Sequence, residues 1–185
     1  SASALDALRA RQGVIADAQI QLDAAPNNQE RQDALSTAVR ETFDFDRLAR
    51  ESIDENWDAM TEAQKVEYMR LFKKLVEKST LSVLKTYRAA QTEYIDVQED
   101  GSEAVLTTIV ISTDDDELAI QYKMHNVDGR WWIWDRTIGL DTEITEYDVS
   151  TAENYYSAFN KIISQDGVEE LLKRLRSKAD GDSKL

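Results

Sequence analysis

The chain has 185 residues and carries 36 acidic side chains against 22 lysines and arginines, so its formal net charge is −14. Such an acidic surface repels nucleic-acid phosphates and anionic lipid head groups, which argues against a role in nucleic-acid binding. The absence of cysteine excludes disulfides, zinc–thiolate sites and thiol catalysis, and no apolar run approaches the ~20 residues that a membrane-spanning helix needs.

The first half of the chain has the periodicity of helices. Apolar residues at three- and four-residue steps predict helices over residues 4–24, from 27 to about 41, and over a long stretch from 62 to about 90. Asn27 suits the N-cap of the second helix and Asp44 that of a short third helix. Thr61 and Gln64 form a capping-box pattern at the start of the long one.

Residues 94–138 have the pattern of four strands, predicted over residues 94–98, 104–112, 117–124 and 130–138. Asp-Gly pairs at positions 100–101 and 128–129 are strong hairpin signals between runs of β-branched and aromatic residues. Because short turns join antiparallel neighbours, the expected sheet is a four-stranded antiparallel meander.

After the sheet, Ser150 and Glu153 suggest a capping box for a helix that Gly167 ends, and a last helix is predicted from 168 to about 178. Helices, then a meander, then helices are typical of an α+β fold with the helices packed on one face of the sheet. With no linker or internal repeat, we predict one domain over residues 1–185, with residues 179–185 as a flexible tail.

Signals for catalysis are weak. His125 is expected to be exposed near a turn, and it would form an acid–base dyad with Asp135 only in one strand register. Asp135 lies in an apolar strand, so an ion pair with Arg130 or Arg136 is its expected environment. The run of aspartates at 114–116 reads as a solvated turn, because consecutive carboxylates do not converge on one ion. We therefore predict no catalytic residue, no metal site and no cofactor.

The tryptophans at 131, 132 and 134 form the most unusual cluster in the sequence. Large apolar groups on both faces of a strand need cover on both faces. One face can serve the core, and the other must meet a further helix, a partner protein or an apolar ligand.

Several short motifs follow one another in a fixed order from about residue 43 to 178. Residues 43–45 read Phe-Asp-Phe, Trp57 and the Thr61 helix start follow, and residues 131–135 read Trp-Trp-Ile-Trp-Asp. Residues 154–163 read Asn-Tyr-Tyr-Ser-Ala-Phe-Asn-Lys-Ile-Ile, and leucines 171, 172 and 175 come after Gly167. In order and spacing this set resembles the MlaC-type (toluene-tolerance) periplasmic phospholipid-binding proteins, including their Trp-x-Val-Tyr-Asp-Val-x-Ile and Asn-Tyr-Arg-Ser-Gln-Phe-x-x-Ile-Ile motifs.

The sequence departs from that family pattern in several places. Residues 139–147 look like an insertion, so we expect a longer last strand or an extra loop at the sheet edge. Asp148 and Asp54 stand where glycines are usual, and Tyr156 replaces the usual arginine.

The resemblance implies a non-enzymatic carrier that holds a phospholipid, acyl chains inward, in an apolar cavity between helices and sheet. It implies a monomeric periplasmic protein whose signal peptide has been removed. The implied partners are an MCE-domain protein of an inner-membrane ABC transporter and an outer-membrane lipoprotein complex. The bound phospholipid is cargo, which the carrier shuttles between these partners.

The predicted cavity residues lie on inward apolar faces that plain core packing would equally require. They are Leu71, Leu75, Leu84, Tyr87, Val105, Thr107, Ile109, Ile120, Tyr122, Ile133, Trp134, Tyr155 and Phe159. Two alternatives stay open: a cone-shaped α+β enzyme that uses Asp135 and His125 on an apolar substrate, and a non-catalytic module whose exposed tryptophans bind a partner protein.

Overall fold

A computed structural model of the protein describes residues 2–86 and 89–181. Within these ranges the chain forms six α-helices, four strands and a short 3-10 helix at Asp54–Trp57. The helices are α1 (Ala4–Ala24), α2 (Gln29–Arg40), α3 (Phe45–Ile53), α4 (Glu62–Thr86), α5 (Thr151–Asp166) and α6 (Val168–Ala179). The strands are β1 (Ala89–Asp100), β2 (Glu103–Ser112), β3 (Glu117–Val127) and β4 (Arg130–Ile138).

The strands form one antiparallel sheet in the order β1-β2-β3-β4, so the predicted meander and the α+β class are confirmed. The Asp-Gly turns behave as expected, because Gly101 and Gly129 both adopt positive φ. β1 begins at Ala89 rather than at the predicted residue 94, and α4 correspondingly ends at Thr86 rather than near 90. None of the helices in the described ranges combines the length and apolarity needed to cross a bilayer.

Side-chain caps start most of the helices where the sequence predicted. Asp44 caps α3 by accepting the N–H of Arg47, and Thr61 and Gln64 exchange both bonds of a capping box at the start of α4. The cap of α2 is Asn28 rather than the predicted Asn27. α6 reaches Ala179, so the predicted tail begins inside a helix, and residues 182–185 lie outside the described part of the chain.

The core consists of a helical part and a sheet part. In the helical part, α3, α4, α5 and α6 pack around Tyr68, Phe72 and Phe159, which are fully buried. In the sheet part, α1 places Leu8 against the inner face of the sheet, which includes Leu106. Phe43, between α2 and α3, packs against both parts, so it lies where the two meet.

Residues 139–149 form an extra loop at the β4 edge, as the predicted insertion suggested. The loop returns to β3, since the Gly139 N–H donates to the Ala119 carbonyl and the Ala119 N–H donates to the Asp141 carbonyl. It exposes three apolar side chains, Leu140 at 92%, Tyr147 at 81% and Val149 at 54%.

Candidate functional site

In the described part of the chain, the helices and the inner face of the sheet do not fill the space between them, and two neighbouring cavities lie there. The helix cavity, about 340 Å³, lies between α3, α4, β4 and the start of α5. The sheet cavity, about 320 Å³, lies between α1, the end of α4 and the inner face of the sheet. The two cavities share four wall residues, which are Phe43, Val83, Ile133 and Arg136.

A bulge in β4 sets which side chains reach these cavities. Ile133 pairs with Met124 and Arg136 pairs with Tyr122, so Trp134 is an extra residue between the two pairs. Directly opposed residues of an antiparallel pair share a face, and Tyr122 and Met124 are two residues apart on β3. Ile133 and Arg136 therefore both point to the inner face although they are three residues apart.

Phe43 is fixed at the cavity junction by backbone pairing. The Asp44 N–H donates to the Ile133 carbonyl at 2.7 Å, and the Ile133 N–H donates to the Thr42 carbonyl at 3.0 Å. This short parallel bridge attaches the chain between α2 and α3 to β4. The Phe43 ring stacks on Phe45 with 5.6 Å between centroids, so the aromatic pair forms a wall of the helix cavity.

About half of the predicted cavity residues line these cavities. Leu84 comes from α4, Ile120 and Tyr122 from β3, and Tyr155 from α5. Ile133 and Trp134 come from β4. The structure thus places residues from four separate elements on the walls of the two cavities.

The other predicted cavity residues lie elsewhere. Leu71, Leu75 and Phe159 are buried in the helical part of the core, where they pack against other side chains. Strand alternation puts Val105, Thr107 and Ile109 on the face of β2 opposite to that of Leu106. Tyr87 lies outside the described residues.

The sequence reasoning missed the contribution of α1 to the sheet cavity. Gln12, Gly13, Ala16 and Gln19 recur at helical spacing and line one wall. A Cβ atom added at Gly13 would have no neighbour within 4 Å, so the helix leaves open space there. The sequence carried one signal for this wall. Small and amide side chains recur at three-residue steps on a helix whose apolar residues face the core.

Asp135 has a partner different from the predicted one. Its side chain is 1% exposed, and Oδ2 lies 3.6 Å from the Lys123 Nζ rather than beside Arg130 or Arg136. Oδ1 accepts the backbone N–H of Ala152 at 2.9 Å, in the first turn of α5, as well as that of Arg136. The carboxylate therefore ties β4 to the positive end of α5.

His125 is also placed differently from the expectation. Its side chain is only 15% exposed, and its Nε2 lies 2.8 Å from Asp44 Oδ2. Across the sheet His125 faces Trp132, while Asp135 faces Lys123. The structure therefore does not assemble the His125–Asp135 dyad, and the exposure predicted for His125 is wrong.

The tryptophans of β4 are covered by neighbouring side chains. Trp131 is buried, with its Nε1 donating to the Ala2 carbonyl. The guanidinium of Arg130 lies 4.0 Å from the Trp132 ring centroid, and that of Arg47 lies 3.9 Å from the Trp134 ring centroid. These rings do not offer the exposed apolar surface that a tryptophan-mediated docking module would require.

Polar side chains are concentrated in the sheet cavity. The Tyr94 hydroxyl donates to Gln12, and the Arg9 guanidinium lies 4.7 Å from the Tyr94 ring centroid. Burial raises the pKa of Tyr122, an effect that Arg136 and Gln12 partly oppose. Burial also lowers the pKa of Arg136 from its ordinary value, against the opposing influence of Tyr122 and Asp135. Across residues 2–86 and 89–181, no group of three or more His, Cys, Asp or Glu side chains could hold a metal ion.

Comparisons with known proteins identify a protein family and a solved structure of the same fold. The family model described as MlaC protein matches residues 10–177. A search of curated proteins finds no match. Among solved structures, a phospholipid-binding protein from Ralstonia solanacearum, in complex with a phospholipid, matches with a TM-score of 0.80 and 19% identity. The match covers 99% of this chain and 100% of that one, and at this identity it shows a shared fold.

Proposed function

Because the chain belongs to the MlaC family, as its ordered motifs predicted, we propose that it binds a phospholipid whose acyl chains lie inward, in an apolar cavity between helices and sheet. The observation that carries this proposal is the pair of neighbouring cavities that share Phe43, Val83 and Ile133 as wall residues. Each cavity has a volume within the range of known ligand pockets, roughly 300–1,000 Å³. The phospholipid bound by the Ralstonia solanacearum protein, which has the same fold, supports the same class of ligand.

Transfer of hydrocarbon from water supplies the affinity in this proposal. Each methylene group removed from water contributes about 0.8 kcal/mol, so a chain of a dozen methylenes gives roughly 10 kcal/mol of gross transfer free energy. The walls that would receive such a chain include Leu48 and Val76 from helices and Ile138 from the sheet. Retention through the chains does not require an attractive outer surface, which suits a protein with a net charge of −14.

We further propose that the protein is a periplasmic carrier. In this role it takes phospholipid from, or delivers it to, an MCE-domain protein of an inner-membrane ABC transporter and exchanges it with an outer-membrane lipoprotein complex. Family membership supports this part of the proposal. An acidic carrier is repelled by anionic bilayers, so it would meet membranes through protein partners rather than by adsorption.

Lipid analysis of the purified protein tests the binding step. We expect organic extraction and mass spectrometry to recover phospholipid, and the protein to take up radiolabelled phospholipid from vesicles. Val83→Trp should reduce uptake at least several-fold, because Val83 lines both cavities. Val66→Trp is the matched control, since Val66 lies on the same helix but is 69% exposed. A wild-type protein that neither carries phospholipid nor takes it up would refute the proposal.

Transfer assays test the carrier step separately. Donor vesicles with labelled phospholipid, the protein, and the reconstituted MCE-domain protein would be mixed, and the control would omit the protein. We expect labelled lipid to reach the partner only through the protein. Binding of lipid without any transfer would retain the binding proposal and reject the shuttle.

A further inference from the structure

The charge in the sheet cavity differs from that of the rest of the molecule. The chain has 36 acidic residues, yet the charged side chains lining the described wall of this cavity are two arginines, Arg9 and Arg136, with no aspartate or glutamate among them. Arg9 is on the exposed side of α1, and Arg136 is half-buried, on the wall shared with the helix cavity. A net-acidic chain therefore surrounds an interior space of positive charge.

The guanidinium of Arg136 forms no direct ion pair with a carboxylate of the described residues, although the neighbouring Asp135 favours its charged form. Its Cζ lies 5.8 Å from the centroid of the Phe43 ring, and Tyr122 faces it across the sheet. Oδ1 of the adjacent Asp135 accepts the backbone N–H groups of Ala152 and Arg136, while its buried Oδ2 has no hydrogen-bond partner and lies 3.6 Å from the Lys123 Nζ. A buried cation is costly without a partner, and burial already lowers the pKa of this group.

Neutral donors surround the same place. Tyr122 lies directly opposite Arg136 in the sheet, and burial, which raises the pKa of its hydroxyl, keeps that hydroxyl protonated. Gln12 and Tyr94 contribute an amide and a second hydroxyl from α1 and β1. A planar guanidinium beside hydroxyl and amide groups matches the oxygen atoms of a carboxylate or a phosphate.

We propose that the sheet cavity is a binding site for the oxyanion head group of an amphiphile, a carboxylate or a phosphate, held by the guanidinium of Arg136. The acyl chain of this ligand passes Phe43, Val83 and Ile133 into the helix cavity. This inference rests on the proposed function in that it requires the interior to accept an acyl chain, and it adds the chemical class and the orientation of the ligand.

The orientation follows from the charges of the two cavities. Besides the shared Arg136, the helix cavity is lined by the carboxylates of Asp44 and Asp135, which would repel an anionic head group, whereas no carboxylate lines the described wall of the sheet cavity. The reverse arrangement would press hydrocarbon against the guanidinium of Arg136, and would remove its water without supplying an acceptor. With the head group at Arg136, the charge is paired and the chain meets the apolar walls.

Equilibrium dialysis with single-chain ligands tests this inference. Radiolabelled dodecanoate and dodecan-1-ol have the same chain and differ in the charged head group, and both would be used below micelle formation at neutral pH. We expect the wild-type protein to prefer dodecanoate by about tenfold to a hundredfold, the range of a hydrogen bond to a charged group. Arg136→Met should bring this ratio close to one without weakening the binding of dodecan-1-ol, and Arg136→Lys should retain part of the preference.

Two controls separate the head group from other causes. Arg130→Met makes the same change in net charge on the same strand, outside the two cavities, and should leave the preference intact. Acetate supplies the carboxylate without a chain, and binding of acetate as tight as that of dodecanoate would overturn the assignment to an amphiphile. Inorganic phosphate serves the same purpose for a phosphate head group.

The outcomes distinguish this inference from the proposed function. Equal binding of dodecanoate and dodecan-1-ol by the wild-type protein, together with uptake of phospholipid from vesicles, would overturn the head-group site and leave the lipid-binding proposal standing. An unchanged preference in both Arg136 variants would also overturn it. If no ligand with an acyl chain binds, both proposals are wrong.

Discussion

Replacing Asp135 should show that this carboxylate stabilises the junction between β4 and α5. Its Oδ1 accepts the Ala152 N–H at 2.9 Å in a buried position, and its Oδ2 lies 3.6 Å from Lys123. A hydrogen bond to a charged group contributes about 1.5–3 kcal/mol, and a carboxylate at a helix N-terminus adds about 0.3–1 kcal/mol. The Lys123 side chain is 34% exposed, so its ion pair contributes less than about 1 kcal/mol.

These magnitudes predict an order among three variants. Asp135→Ala should lower the free energy of unfolding by about 3 kcal/mol, because it leaves the Ala152 N–H buried without an acceptor. Asp135→Asn keeps an acceptor but loses the charge, so it should cost about 1–2 kcal/mol. Lys123→Met should cost less than about 1 kcal/mol.

Urea unfolding followed by tryptophan fluorescence measures these differences. For a chain of this size, 3 kcal/mol corresponds to a fall of about 6–12 °C in Tm, so thermal unfolding gives an independent check. The slope of the free energy against urea should be unchanged if the native state keeps its compactness. If Lys123→Met destabilised the protein as much as Asp135→Ala, the ion pair rather than the helix cap would hold this junction, and the reasoning would be refuted.

Three further predictions concern α1, the aromatic core and the start of α3. Gly13→Leu should raise the free energy of unfolding by about 0.5–1 kcal/mol through helix propensity, yet lower phospholipid uptake, because Gly13 lines the sheet cavity. Ala10→Leu, on the exposed side of α1, is the control. Unchanged uptake in Gly13→Leu would argue against ligand in this cavity. Tyr68→Phe removes a bond to a backbone carbonyl and should cost about 1–1.5 kcal/mol at neutral pH. Burial raises the pKa of Tyr68 above its usual 10.0, so the tyrosine ionises first in the unfolded chain. The free energy of unfolding of the wild-type protein should therefore fall as the pH rises above about 10, and that of the variant should fall less. Parallel pH curves for the two proteins would contradict this. Asp44→Ala should lower the free energy of unfolding by about 1–2 kcal/mol, because it removes the α3 cap and the His125 contact. Asp44→Ser should recover the part of this free energy that the cap contributes. If urea unfolding showed equal losses of free energy in both variants, the cap would contribute little.

The elements of this fold could be predicted because their signals are local. Side-chain caps such as those of Asp44 and Thr61 act within one turn of helix, and the Asp-Gly turns fix antiparallel neighbours within a few residues. The wrong predictions concerned the boundaries of elements. One lies between α4 and β1, where the chain changes from helix to strand. The other lies at the start of α2, where two neighbouring asparagines have equal capping ability.

The candidate site could be predicted only in part. Periodicity identified apolar faces correctly for Ile120, Tyr122 and Ile133, but it assigned the wrong face of β2 to Val105 and Thr107. An apolar face has the same pattern whether it meets another side chain or an open space, so Leu71 and Phe159 could not be told apart from true wall residues.

By itself the sequence determined an α+β meander with flanking helices, the absence of thiol chemistry, and membership of the MlaC family. Only the tertiary structure decided that Trp134 is an extra residue in β4, that Arg136 faces the interior, and that Asp135 and His125 have separate partners. The physical reason is that strand alternation has a period of two, so a single bulge reverses the faces of all later side chains. Which side chain meets a cavity is a property of several elements packed together, and no local stretch of sequence encodes it.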